Sequence, residues 1–155
     1  MGCSSVYGHL VAESEGIVAI LERLPPYGGL AWRGAAGGLI ASMPLPAPLP
    51  TSRDPRFASS NFSAPVLWAI VSVGGREIGP LSANPAAQEV AILPGAMLTP
   101  ATAVHEVDGV QVQVVLEVRP GAPVGDVPDD AVLAKLIREA RALEPVAITQ
   151  PGRFG

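Results

Sequence analysis

The apolar positions change their period along the chain, and the changes outline the elements. Residues 14 to 24, SEGIVAILERL, set Ile17, Ile20, Leu21 and Leu24 on one helical face. Ser14 is the candidate cap, and Pro25 and Pro26 stop the helix. In YGGLAWRG, residues 30 to 32 read as a short strand between glycines. Residues 35 to 55 are rich in Ala, Gly and Pro and include MPLPAPLPTSRDP. Proline lacks a backbone donor and fixes φ, so this stretch is expected to be an ordered surface excursion, neither a regular helix nor a central strand.

From residue 56 the expected pattern is β. RFASS reads as a short strand. VLWAIVSV, residues 66 to 73, is apolar except at Ser72, as in a central strand covered on both faces. Gly74-Gly75 is expected to turn it into REIG, and EVAILP follows a loop over 80 to 88. Two further strands, 99 to 107 and 110 to 118, are joined by Asp108-Gly109, a pair that tolerates positive φ at both turn positions. Val110, Val112, Val114, Leu116 and Val118 alternate against Gln111, Gln113 and Glu117, the pattern of a half-buried strand. A helix over 129 to 143 closes the series, capped by Asp129 and striped by Leu133, Leu136, Ile137, Ala140 and Leu143. Hairpins dominate, so the expectation is one α+β domain, 1 to 155, with a mostly antiparallel sheet.

Composition narrows the function. A hydrophobic fraction of 48% with 15% charged residues suits a packed core, and 17 Gly with 17 Pro suit many turns. The net charge of -4 gives no general electrostatic reason to bind nucleic acid. One cysteine, Cys3, forms no internal disulfide. The apolar run at 66 to 73 is too short to span a bilayer, and no signal-peptide pattern is seen at the start. MGCSSV opens like a myristoylation signal at Gly2, beside Cys3, but Val6 stands where Ser or Thr is expected, so an ordinary start is the expectation.

Candidate chemistry is sparse. His9 and His105 have no partners at ligand spacing, so no metal site is expected, and His105 should share a sheet face with Val112. There is no G-x-S-x-G elbow, no P-loop and no G-x-G-x-x-G. Three stretches remain: LPPYGGLAWRG at 24 to 34, RFASSNFS at 56 to 63, and SANPAAQEVAILPG at 82 to 95. Singly, Arg33 reads as a solvated charge, Ser59 and Ser60 as turn hydroxyls, and Glu89 as an exposed strand start.

In this order, over residues 14 to 118, the stretches resemble the mono-ADP-ribosyltransferases of the Arg-Ser-Glu class, many of them bacterial toxins. In that family a proline turn leads to a strand carrying Arg-Gly, matched at Arg33 and Gly34. An aromatic, one residue and Ser-Thr-Ser on a strand are matched at Phe57, Ser59 and Ser60, with Asn61 third. A turn-rich loop, the catalytic glutamate, an apolar strand and Pro-Gly are matched at Ser82, Pro85, Glu89, Pro94 and Gly95. Ala87 stands where the family usually carries Glu or Gln, with Gln88 adjacent.

The resemblance implies an ADP-ribosyltransferase-like, mostly antiparallel split β-sandwich with flanking helices. It implies NAD+ as substrate, no metal, and transfer of ADP-ribose to a macromolecular acceptor. Glu89 would face the oxocarbenium-like ribose, Ser59 would position that carboxylate, and Arg33 would hold the diphosphate. Gly34 would let the nicotinamide amide approach the backbone, and Trp32, Phe57 or Phe62 would stack on a ring. Ala87 and Gln88 would lie on the acceptor side. A toxin of this kind would be delivered into a target cell, act in its cytosol, and have an immunity protein as a further partner. NAD+ hydrolysis and a non-catalytic nucleotide- or protein-binding domain are the alternatives, and Ala87 favours both.

Overall fold

A computed structural model describes residues 16 to 148. Gly2, Cys3, His9 and Ser14 lie outside the described residues. A short helix α1, residues 16 to 21, is followed by strand β1, Pro26–Ala35. β1 is much longer than the three residues expected. It pairs with β4, Val66–Glu77, from Pro26 opposite Arg76 to Ala35 opposite Val66. Gly29, at φ 137°, takes up a register shift rather than ending the strand.

The proline-rich excursion is instead partly sheet. It contains β2, Met43–Pro44, and β3, Leu49–Ser52, which stands beside both β1 and β5, Glu89–Ile92. Pro50 is tolerated because an antiparallel residue points its N–H and C=O the same way. Its carbonyl accepts from Arg33 Nη1 at 3.0 Å, so the missing donor costs no bond to β5. RFASS is not a strand. Asp54 accepts from the Arg56 amide and Pro55 sits at the first helical position, so α2, Pro55–Ala58, forms there and Ser59 caps its end.

Gly74-Gly75 does not turn the chain, since β4 runs through both to Glu77, and at Arg76 it pairs both with Pro26 of β1 and with Ala91 of β5. A Cβ at Gly75 would meet Ser72 Oγ at 2.7 Å and Val90 Cγ1 at 2.8 Å, so close strand approach, not a turn, requires that glycine. The strand expected at 99 to 107 is two, β6, Met97–Pro100, and β7, His105–Val107. β7 pairs with β8, Val110–Val118, through the expected Asp108-Gly109 turn, with φ of 50° and 81°. His105 stands opposite Val112, as expected.

The sheet order is β1-β3-β5-β4-β8-β6-β2, with β7 on β8 and β1 also on β4, which closes β1, β3, β5 and β4 into a ring. Every pairing is antiparallel except β4 with β8. One face carries Trp32, Leu67, Ala69, Val112 and Val114 under Leu133 and Ile137 of α3, Asp130–Ala142. The other carries Leu45, Ile70, Ile92, Leu98 and Val115. β8 is therefore buried on both faces, not half-buried, and its buried polar groups are satisfied. Gln113 bonds the Leu39 backbone and the Thr102 carbonyl, while Glu117 accepts from Ser72, Val73 and Gly74 and pairs with Arg119.

Asp129 caps α3 as expected, accepting from the Val132 amide. Leu143 falls past the helix end, extended and exposed, instead of completing the stripe. On α1 only Leu21 is buried, against Ala91 and Leu93. Ile17 and Ile20 are 51% and 54% exposed, because so short a helix brings only its last turn over β5. Among the described residues no helix is long and apolar enough to cross a membrane.

Candidate active site

Glu89 is not an exposed strand start: it is 6% exposed at the first residue of β5. Its entry is shaped by the turn Pro85–Ala87, closed by Gln88 in the left-handed conformation at φ 48°. That kink exposes Gln88, buries Ala87, and turns the next side chain inward. A buried carboxylate needs polar partners. Ser82 Oγ donates to Glu89 Oε1 at 3.0 Å and accepts from the Asn84 amide at 3.1 Å.

Across the strand pair, Glu89 stands opposite Ser52, and Ser52 stands opposite Trp32. One rung therefore crosses β1, β3 and β5. Ser52 is fully buried; its Oγ donates to the Ala87 carbonyl at 2.5 Å and accepts from the Asp54 amide at 2.9 Å. Thr51 Oγ1 donates to the Val90 carbonyl at 2.7 Å. The strand hydroxyls beside the glutamate thus come from Thr51 and Ser52, which sequence reasoning missed. The available signal was Thr-Ser ahead of the Asp-Pro cap, masked by the surrounding prolines.

Arg33 follows Trp32 on β1, opposite Trp68 and half-buried. Its bond to the Pro50 carbonyl ties the guanidinium to β3, one residue before Thr51. Burial lowers its pKa from the usual arginine value, although an arginine remains charged in a protein. Gly34 has a packing reason: a Cβ there would meet the Ala58 carbonyl at 2.7 Å and Ser59 Cα at 3.3 Å. The end of α2 thus rests on β1 at the residue after Arg33.

Ser59 is buried, but both hydroxyl bonds stay within its own loop. Oγ donates to the Pro55 carbonyl at 2.6 Å and accepts from the Phe62 amide at 2.7 Å. The hydroxyl bonded to Glu89 is that of Ser82, not Ser59. Phe57 and Trp32 are core side chains, 8% and 2% exposed, and neither offers an open face for stacking. Ala87, 2% exposed, packs with Phe57 under Val146 and Ile148, so the position expected to face an acceptor is covered. Phe62 lies partly buried with the Arg141 guanidinium 5.7 Å from its ring centre.

An α+β sheet of this order has the ADP-ribosyltransferase fold. Solved structures of that class match it. The Vis toxin, an ADP-ribosyltransferase from Vibrio splendidus, is 24% identical with a TM-score of 0.55, covering 77% of this chain and 63% of its own. HopU1 of Pseudomonas syringae pv. Tomato DC3000, an ADP-ribosyltransferase, is 17% identical with a TM-score of 0.52, covering 61% and 47%. Exoenzyme S from Pseudomonas aeruginosa, solved with human 14-3-3 protein beta and carba-NAD, is 17% identical with a TM-score of 0.51, covering 66% and 55%. The chain thus spans 47% to 63% of the length of these proteins, and the likeness establishes the fold. No protein-family model matches the sequence, and no curated protein matches it.

Proposed function

We propose that the protein is an NAD+-dependent mono-ADP-ribosyltransferase of the toxin or effector type. The observation that carries this is the buried Glu89 carboxylate, fixed by Ser82 on the Trp32–Ser52–Glu89 rung. In the reaction the bond between nicotinamide nitrogen and ribose C1′ breaks, and its electron pair leaves with neutral nicotinamide. The ribose becomes oxocarbenium-like. A fixed carboxylate opposes that charge more in the transition state than in bound NAD+, which is what lowers the barrier. The acceptor nucleophile bonds to C1′ and gives up its proton.

Arg33 supplies a permanent planar cation suited to the diphosphate. Exoenzyme S with carba-NAD supports NAD+ as the substrate class. The site of action would be the cytosol of a target cell after delivery, in keeping with the toxin among its structural likenesses. NAD+ hydrolysis is the second reading. It is favoured by the closed, apolar environment of Ala87, which leaves no carboxylate to engage an acceptor.

Incubation with NAD+, with and without cell lysate, tests both. Nicotinamide release that depends on lysate, with label appearing in lysate protein, is the expected result. Release without lysate assigns hydrolysis. No release in either case overturns the enzyme reading.

A further inference from the structure

Residues 143 to 148 run on beyond α3 without regular structure, and their attachment has the form of peptide recognition. Asn61 grips one residue by its backbone. Nδ2 donates to the Val146 carbonyl at 2.9 Å, and Oδ1 accepts from the Val146 amide at 2.8 Å. A carboxamide used this way reads main chain and accepts any residue with an amide hydrogen. Arg56 Nη1 donates to the Glu144 carbonyl at 2.7 Å, again main chain. Val146 and Ile148, two residues apart, pack against Phe57 and Ala87.

The gripping residue is held at a conformational cost. Ser60, Asn61 and Phe62 are all left-handed, at φ of 52°, 58° and 66°. That conformation is disfavoured for residues with a Cβ, most of all for Phe62, and is tolerated best by Asn61. The Ser59 hydroxyl stabilises the run by accepting from Phe62. Strain of this sort persists where the surroundings over-determine it, and it gathers at ligand clamps. The clamped segment is itself lightly held: residues 143 to 145 and Ala147 are exposed, and Val146 and Ile148 are half-buried. The groove adjoins the reaction centre, because Ala87 lies two residues before Glu89 and α2 ends against Gly34.

We propose that Asn61, Arg56, Phe57 and Ala87 form a site for an extended peptide segment of the protein acceptor, filled in the resting molecule by residues 143 to 148. The identity of the incoming chain rests on the transferase reading; the groove does not. The chemistry selects a segment with a free amide for Asn61 and aliphatic side chains two residues apart. A tethered segment competes at an effective concentration on the order of millimolar, so the filled groove takes an outside peptide only weakly.

The test uses a labelled peptide of residues 144 to 150, EPVAITQ, and the full chain. Fluorescence anisotropy follows its binding to wild type and to the double variant Val146→Asp/Ile148→Asp. The released variant is expected to bind at least tenfold more tightly than wild type, and a scrambled peptide not to bind. Adding Asn61→Gly to the released variant keeps the left-handed backbone and should abolish binding. A folded released variant that does not bind the peptide overturns the proposal. Should the double variant not fold, hydrogen exchange on wild type decides. Excess unlabelled peptide must speed exchange in residues 143 to 148 by displacing them, and unchanged exchange overturns it. None of these readouts needs NAD+, so failure of the groove and failure of the transferase chemistry are separate results.

Discussion

Ser52 and Glu89 face each other across β3 and β5, both buried, and each is fixed by a hydrogen bond to the loop that leads into β5. Ser52 holds the Ala87 carbonyl, and Ser82 holds the carboxylate. The glutamate is thus placed by the loop before it and the strand beside it.

Glu89→Gln keeps the size and an acceptor for Ser82 while removing the charge. Nicotinamide release should fall on the order of 10²-fold or more, the scale of losing one preorganised electrostatic contact. NAD+ affinity by calorimetry and the melting temperature should hold. A mutant keeping half of wild-type turnover would take Glu89 out of the site.

Two serine variants separate positioning from loop building. Ser82→Ala removes the hydroxyl that donates to the carboxylate and should lower turnover about tenfold with NAD+ affinity retained. Ser59→Ala removes two bonds inside the 55–62 loop and should cost about 1–3 kcal/mol of stability, at about 0.5–1.5 per bond. Urea unfolding and nicotinamide release on both proteins check this; equal kinetic damage from Ser59→Ala would return the positioning role to Ser59.

His105 bonds the Ala103 carbonyl and the Asp130 carboxylate, linking β7 to the first turn of α3. The Ala103 bond first, and Asp130 second, raise its pKa above 6.5. A raised folded pKa means that the stabilising contribution is complete below about 6.5, the unfolded value, and is lost as pH rises through the folded value. Wild type should therefore lose a small increment of melting temperature across that window, and His105→Gln should not. Parallel pH profiles for the two would refute the link.

Ala87→Glu would bury a carboxylate beneath Val146 and Ile148, so it should destabilise the fold rather than create an acceptor contact. The wild type, lacking that carboxylate, should transfer little ADP-ribose to agmatine, although Vis has been solved in complex with agmatine. Mass spectrometry of agmatine incubated with NAD+ and enzyme decides it. Robust conversion would mean that another residue, Gln88 among them, engages the guanidine.

Much of this was legible where local signals were strong. Asp108-Gly109 set the β7–β8 register, Asp129 set the start of α3, and the apolar run at 66 to 73 marked the central strand. Errors arose where tertiary pairing overrode a local rule. Pro50 argued against a strand, yet its carbonyl faces Arg33 and no ladder bond is lost. Gly74-Gly75 looked like a turn because close approach to Val90, invisible in sequence, requires the same residue. Phe57 to Ser60 matched a strand motif, but Asp54-Pro55 starts a helix there, and the real strand hydroxyls lie a few residues earlier at Thr51 and Ser52.

The closed ring of β1, β3, β5 and β4 also governs how one molecule meets another. Native polymerisation of a β protein begins when a neighbour adds a strand to an open edge. Within the ring, β3 pairs with β1 at Ser52 opposite Trp32, and its Pro50 has no donor to offer. Elsewhere among the described residues the sheet ends at β2, two residues long and containing Pro44, and at β7, three residues long. At β2, β3 and β7 a donor strand thus finds only short or proline-bearing edges. Strand addition at these three edges should therefore require prior unfolding, with a lag that lengthens as native stability rises.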